Sequence, residues 1–212
     1  MNIPTENDMK NAIAERLGTE RQKKFSSATV AICGLGGLGS NIAVALARAG
    51  VGKLILIDFD CVDISNLNRQ QYKASQIGVK KTKALYFNLK EIAPYIDIRL
   101  HDIFLTSENA EEYLNDADII CEAFDNAENK AELVNTVLEK MPEKYIVAAS
   151  GMAGIGSANR IKTRQISKRF YISGDNVSDI ETEGCLFSSR VMLCAAHEAH
   201  MVLRILSGEY DV

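Results

Sequence analysis

The sequence predicts an α/β fold: a mainly parallel sheet covered by helices on both faces, with an antiparallel extension and a long helix at its C-terminal end. Three observations predict it. Between residues 28 and 149, short unbroken apolar runs alternate with helical patterns, as strands buried on both faces do. A glycine-rich turn, GLGGLG at 34–39, stands between the first apolar run and the first helical pattern. After residue 150 the pattern changes: NRIKTRQISKRFYIS alternates polar and apolar residues over two short runs, which suits antiparallel strands with one wet face.

The elements follow in order. Residues 6–24 are charged and helix-prone, and Met9, Ile13 and Leu17, spaced by four, form one apolar stripe that needs a surface to lie on. Residues 1–24 therefore read as an N-terminal helical arm. Next come a strand at 28–33 (ATVAIC), a helix at 37–49, a strand at 52–57 (GKLILI), a polar loop, and a helix at 79–92 closed by Pro94. A strand at 95–101, a short helix near 107–115, a strand at 117–122 (ADIICE), a helix at 126–140 and a strand at 144–149 (KYIVAA) complete a core spanning 25–150. Residues 151–212 hold the antiparallel strands, an acidic stretch at 174–184 (GDNVSDIETEG) that reads as an exposed, mobile loop, and a long helix from about 188 to 207 that ends at Gly208. One domain of 212 residues is expected.

Composition narrows the function classes. With 47% hydrophobic and 25% charged residues the chain has the balance of a soluble globular domain. A formal net charge of -4 gives no general basic surface, which argues against a nucleic-acid or anionic-membrane partner. The N-terminus lacks the apolar core of a signal peptide, and nowhere do about 18 apolar residues run together, so a cytoplasmic protein is expected. The five cysteines (Cys33, Cys61, Cys121, Cys185, Cys194) form no CxxC pair; most read as buried free thiols rather than a disulfide framework or a four-thiolate zinc site. His197, Glu198 and His200 are spaced HExH rather than HExxH, which misplaces the general base of a zinc protease, so they read as partly buried packing residues. His101 carries no signal.

The chemistry begins at Gly34, Gly36 and Gly39, a GxGxxG pattern between a strand and a helix. The first glycine permits the tight turn, the second lets backbone approach a phosphate, and the third allows close packing of helix on strand. The start of the helix then favours an anion. Taken alone, so short a pattern also fits a glycine turn with no ligand. Asp58, about 20 residues on, ends the second strand where a carboxylate can accept hydrogen bonds from ribose hydroxyls, which raises the case for a nucleotide. NAD and ATP fit equally to this point.

The stretch DFDCVDISNLNRQQY, 58–72, separates them. Hydride transfer has no use for a cluster of Ser65, Asn66, Asn68, Arg69 and Gln70, whereas a triphosphate under attack does: Arg69 can fork onto phosphate oxygens while amides and hydroxyls position them. Lys81, at the start of the next helix, can supply a second cation, although Lys80 and Lys83 beside it are what any lysine-rich surface would show. Asp125 arrives at the carboxyl end of the sheet, where it can hold magnesium; alternatively Asp125 or Asn126 caps the following helix.

With these residues assembled, the chain resembles the ThiF/MoeB family of ubiquitin-activating-enzyme-like adenylyltransferases, built on a Rossmann-like fold. The resemblance is carried by GLGGLGS (34–40), AGVGKLILIDFDCVDISNLNRQ (49–70), IGVKK (77–81) and AFDNAENK (123–130). The C-terminal part, with ISKRFYISGDNVSD and SSRVMLCAAHEAHMVLRILSG, looks most like a short ThiF-type subfamily of thiamine biosynthesis. The resemblance implies that the C-terminal glycine of a small ubiquitin-fold sulfur carrier protein is adenylated, with ATP consumed, magnesium as cofactor and pyrophosphate released. It also implies a homodimer. Carried over by position, Gly37 lies against the nucleotide, Asp58 holds the ribose, and Ser65, Asn66, Leu67, Asn68 and Arg69 line the phosphates. Arg69 and Lys81 match the essential cations, and Asp125, followed by Asn126, matches a magnesium-linked carboxylate; Asp60 is the second acid of a pair whose role stays open. Longer relatives hold a structural zinc through two CxxC pairs, which this chain lacks, so no structural zinc is expected. Cys185 is the candidate for a covalent link to the carrier, against the reading of an incidental thiol, and Arg16 or Arg21 for an arginine that reaches the partner subunit's site. An adenylating relative acting on another substrate, a different carrier or a tRNA, and an NAD-binding oxidoreductase are the rival readings.

Overall fold

The computed structural model describes residues 3–212; Met1 and Asn2, assigned above to the arm, lie outside the described residues. Five parallel strands follow the predicted apolar runs: β1 (Thr29–Cys33), β2 (Lys53–Ile57), β3 (Asp97–His101), β4 (Ile119–Glu122) and β5 (Tyr145–Ala149). Two more, β6 (Lys162–Ser167) and β7 (Phe170–Gly174), pair antiparallel, and β7 joins β5 in parallel. The seven strands lie in the order β3-β2-β1-β4-β5-β7-β6. The chain thus winds outward from β1 to β3 and then returns to β4, which opens a crevice at the carboxyl ends of β1 and β4.

Period-2 alternation sorts the core into two layers. Val30 and Ile32 face one side, with Leu54, Leu56 and Cys121; Ala31 and Cys33 face the other, with Ile55, Ile57 and Ile120. Helices α3 (Gly37–Ala49), α4 (Lys81–Ile92) and α8 (Ser188–Ser207) cover the first side, and α5 (Ala110–Leu114) and α6 (Ala127–Lys140) the second. Among the described residues no helix is long and apolar enough to cross a membrane.

Four expectations are corrected. The arm is two helices, α1 (Glu6–Leu17) and α2 (Thr19–Ser27), because Gly18 turns the chain at φ +87°. Of its stripe, Met9 and Ile13 are half-buried and Leu17 is exposed. The helix expected from 79 begins at Lys81, since residues 78–81 pair instead with 60–62: the amides of Gly78 and Lys81 donate to the carbonyls of Val62 and Asp60 at 2.8 and 3.0 Å. The stretch at 174–184 is not one exposed loop: Asp175 is buried and residues Ile180–Glu183 form a short helix, α7. In the histidine cluster Glu198 is fully buried, but His200 is exposed. Of the cysteines, Cys33, Cys121 and Cys194 are buried, Cys185 is half-buried and Cys61 is exposed.

Candidate functional site

The glycine turn leaves β1 at the crevice, and close contacts require three of its four glycines. Gly34 takes φ +92° and lies so close to the loop after β4 that a Cβ would sit 2.7 Å from the Ala123 carbonyl. A Cβ on Gly39 would overlap the Gly34 carbonyl. At Gly37 a Cβ would meet Val191 Cγ1 at 2.9 Å and Arg69 Cγ at 3.4 Å, so α8 and the Arg69 stem enclose the turn. Gly36 is left open, with the Gln70 amide nitrogen as the nearest atom at 3.8 Å. The amide of Asn41 ties the parts together by donating to the carbonyls of Gly37 (2.6 Å) and Arg69 (3.2 Å).

The carboxylates after β2 are organised by backbone. Asp58 is buried and accepts from the amides of Leu35 (2.6 Å) and Asp60 (2.8 Å), which fixes the glycine turn to the second strand. Burial holds its carboxyl above the usual range, against the pull of Lys81 and of those two amides. Lys81 is itself buried, with its ammonium 2.7 Å from Asp60 and 3.8 Å from Asp58. Asp60 is the exposed member of the pair. In the loop that follows, the Arg69 guanidinium donates to the Ser65 carbonyl (3.2 Å) and to the Asn68 side chain (2.9 Å). Ser65 donates its hydroxyl to Asp63 at 2.6 Å, and Asn66 lies against Ser65 at 3.3 Å. The Leu67 side chain packs on the core, so this residue has only its backbone to offer a ligand.

On the far side of the crevice, Asn126 caps α6 by accepting from the amides of Glu128 and Asn129, both at 2.9 Å. Asp125 beside it is exposed and free of that duty. The turn carrying both is held from below by the buried Glu122, which accepts from Lys130 (2.9 and 3.0 Å) and from the Phe124 amide (2.7 Å).

The structure therefore brings Gly34, Gly36, Gly37, Gly39, Asp58, Asp60, Arg69, Lys81 and the Ala123–Asn126 turn to one edge of the sheet. Asn41, Glu122, Lys130 and Val191 also shape this edge and are not singled out by the sequence: Asn41 and Val191 act through partners distant in the chain, and the Glu122–Lys130 pair links a buried strand end to the helix that follows it. A cavity of about 700 Å³ lies elsewhere, between the arm and the C-terminal ends of α3 and α8. Ile13, Arg16, Arg21, Arg48 and His200 line it, a helix length of about 20 Å from the glycine turn. Arg16 and Arg21 both line this cavity, away from the crevice.

The edge suits a nucleotide phosphate. The glycine turn leaves room at Gly36, the Gln70 side-chain oxygen is buried with no hydrogen-bond partner among the described residues, and two cations follow, Arg69 in the loop after β2 and Lys81 at the start of α4. Among the described residues no group of three or more His, Cys, Asp or Glu is placed to hold a metal. A magnesium ion on a triphosphate needs only one carboxylate, with waters and phosphate oxygens filling the rest, and Asp125 can serve.

Comparison with known proteins places these residues in context. The model of the ThiF family matches residues 9–211. The tRNA threonylcarbamoyladenosine dehydratase of Haemophilus influenzae is 33% identical over 147 residues, 68% of this chain and 56% of that protein. The adenylyltransferase and sulfurtransferase UBA4 of Lodderomyces elongisporus is 29% identical over 195 residues, 89% of this chain and 42% of that protein. The chain thus spans about half the length of these relatives. Among solved structures, the E. coli tRNA N6-threonylcarbamoyladenosine dehydratase in complex with ATP superposes with a TM-score of 0.85 at 20% identity, over 98% of each chain.

Proposed function

The chain belongs to the ThiF family, and from that premise we propose that it is an ATP-dependent adenylyltransferase that activates the C-terminal glycine carboxylate of a small ubiquitin-fold sulfur carrier protein. Thiamine biosynthesis is the setting this reading assigns to it, and a homodimer its working form. The observation that carries the reading is the joint placement of Arg69 and buried Lys81 beside a glycine turn with an open phosphate approach.

The acceptor carboxylate is already an ionised nucleophile, so no general base is needed, and positioning with charge neutralisation suffices. A carboxylate oxygen attacks the α-phosphorus in line; the new C–O–P bond forms as the bond from that phosphorus to the bridging oxygen breaks, and pyrophosphate leaves with the electron pair. Negative charge grows on the nonbridging oxygens and the leaving group, and Arg69 and Lys81 face it. Magnesium held at Asp125 would add charge neutralisation on the departing phosphates. Gly37 lies under the nucleotide, Asp58 accepts from the ribose, and Asp60 keeps the Lys81 ammonium in place until phosphate draws it over.

Exchange of labelled pyrophosphate into ATP in the presence of purified carriers ending in Gly-Gly tests the reading. Carrier-dependent exchange is expected, with Arg69→Ala or Lys81→Ala lowering it by about 10²–10³-fold while the fold is kept. Near-normal exchange in either variant overturns the assignment. The similarity to tRNA threonylcarbamoyladenosine dehydratases supports one second reading, a modified tRNA as acceptor. ATP turnover stimulated by tRNA bearing threonylcarbamoyladenosine, and not by any carrier, would establish that reading instead. The net charge of -4 weighs against it.

A further inference from the structure

The run SGMAGIGSA, residues 150–158, leaves the carboxyl end of β5 at the same edge of the sheet, and neither phosphate nor ribose contact calls for it. Its glycines are shaped by the acidic segment opposite. Gly151 and Gly154 take φ of +80° and +74°, and a Cβ on either would overlap the carboxylate of Asp175 or Glu183. The Gly154 amide donates to the Cys185 carbonyl at 3.0 Å. Two segments without long elements of their own, 150–158 and 175–187, thus run in direct contact.

One side chain holds them. Arg190, in the first turn of α8, is 5% exposed. Its guanidinium pairs with Asp175 and donates to the carbonyls of Gly156 and Ser157, the latter at 3.0 Å. The other Asp175 oxygen accepts from the amides of Val177 (3.0 Å) and Ser178 (2.9 Å) and from the Ser178 hydroxyl (3.0 Å). Breaking a buried pair of this kind leaves an uncompensated charge, so the three segments are locked together. The next residue, Val191, is the one that packs on Gly37, and Asn68 reaches the Leu186 carbonyl at 3.5 Å. The same turn of helix therefore sets how far both segments stand from the phosphate turn. On these segments Ile155, Val177 and Phe187 are 78%, 72% and 41% exposed, which leaves apolar side chains open to solvent on both.

We infer that Arg190 is a positioning residue for the acyl acceptor, locking residues 150–158 and 175–187 into a lane along which an extended C-terminal tail reaches the α-phosphorus. The inference rests on the adenylyltransferase reading above. A lane formed in advance spares the ordering of two loops when the carrier binds, so its loss weakens acceptor binding rather than nucleotide binding.

Arg190→Met, Arg190→Lys and Asp175→Asn test it, with ATP affinity measured by calorimetry and KM and kcat by pyrophosphate exchange on a Gly-Gly-ended ubiquitin-fold sulfur carrier. For Arg190→Met, KM for the carrier is expected to rise at least tenfold while ATP affinity stays within twofold and kcat at saturating carrier within threefold. Arg190→Lys, which keeps a charge for Asp175 but not the fork to both carbonyls, recovers part of the KM. Should Arg190→Met fail to fold, Asp175→Asn keeps an acceptor for Val177 and Ser178 while removing the charge facing Arg190, and the same split is expected. A carrier KM within twofold of wild type in a folded variant overturns the inference, as does ATP affinity falling in parallel with KM. No exchange by the wild-type protein with any carrier overturns the proposed function and this inference together.

Discussion

Lys81 and Glu198 are both buried ionisable side chains on helices packed against the same face of the sheet, one at its carboxyl edge and one in the middle of the layer. The fold treats them oppositely. Lys81 has Asp60 at 2.7 Å and Asp58 at 3.8 Å. Glu198 is 0% exposed and neither carboxyl oxygen has a hydrogen-bond partner. At the edge, opposite charge stands within ion-pair reach; in the interior Glu198 has no hydrogen-bond partner among the described residues, and burial pushes its carboxyl well above the ordinary range. Lys81 and its acidic partners thus lie on the charged rim of the crevice, and Glu198 lies in the supporting layer beneath it.

The harshest way to break that division is to remove the rim's backbone geometry while leaving every charge in place. Gly39 carries no charge, yet a Cβ there would overlap the Gly34 carbonyl and crowd Ile32 Cγ2 at 3.0 Å. Backbone cannot swing aside as a side-chain tip does, so Gly39→Ala is expected to destabilise the fold by about 3 kcal/mol or to leave it insoluble. Urea unfolding of the variant measures this. A midpoint unchanged from wild type would show that the turn is softer than its contacts indicate.

The interior side is sharpened by Glu198→Met, which keeps side-chain volume and deletes the unpaired carboxyl. Burial, and then the charge of Glu122, hold the Glu198 carboxyl well above its ordinary range, against the pull of Lys130. A carboxyl so raised stays protonated in the fold, while in the unfolded chain it ionises near pH 4.3. As pH climbs past that value the unfolded state releases a proton that the folded state retains, and stability falls by at most about 1.4 kcal/mol per pH unit. Glu198→Met is therefore expected to stabilise by about 2 kcal/mol at pH 7.5, with a smaller gain at pH 4.5. Denaturation curves at the two pH values decide it; a gain independent of pH would mean that Glu198 is charged in the fold.

What could be read from the sequence divides along a related line. Strand and helix alternation, the glycine turn, Asp58 and Lys81 are legible because each depends on local period or on spacing along a few dozen residues. Helix α8 is legible at about 188–207, where the structure has it, since its apolar face repeats at helical spacing and Gly208 ends it. The Arg190–Asp175 pair was not legible, because the sequence shows only an acidic stretch and an arginine 15 residues later, and their meeting depends on how α8 lands on the sheet. The break at Gly18 is hidden for the opposite reason: the stripe Met9, Ile13, Leu17 is a strong local signal that gives no warning of a turn just beyond it. The apolar helix around it makes His200 read as a packing residue, but it falls on the edge of that face and lines the open cavity beside the arm.

The smallest effect separates two duties that meet at the crevice. Asn126 is both a candidate ligand residue and the cap of α6, and its carbonyl oxygen is already occupied by the amides of Glu128 and Asn129. Only its amide nitrogen is left for a nucleotide. Asn126→Ala is expected to cost about 1 kcal/mol of stability, read from the urea midpoint, because two amide donors at the start of the helix lose their acceptor. Asn126→Ser restores the cap but not the amide nitrogen. If Asn126 acts through the helix alone, Asn126→Ser recovers both stability and ATP affinity; if its nitrogen meets the nucleotide, stability returns and ATP affinity does not. The second outcome would move Asn126 from the supporting layer to the charged rim and shift the boundary between them by one residue.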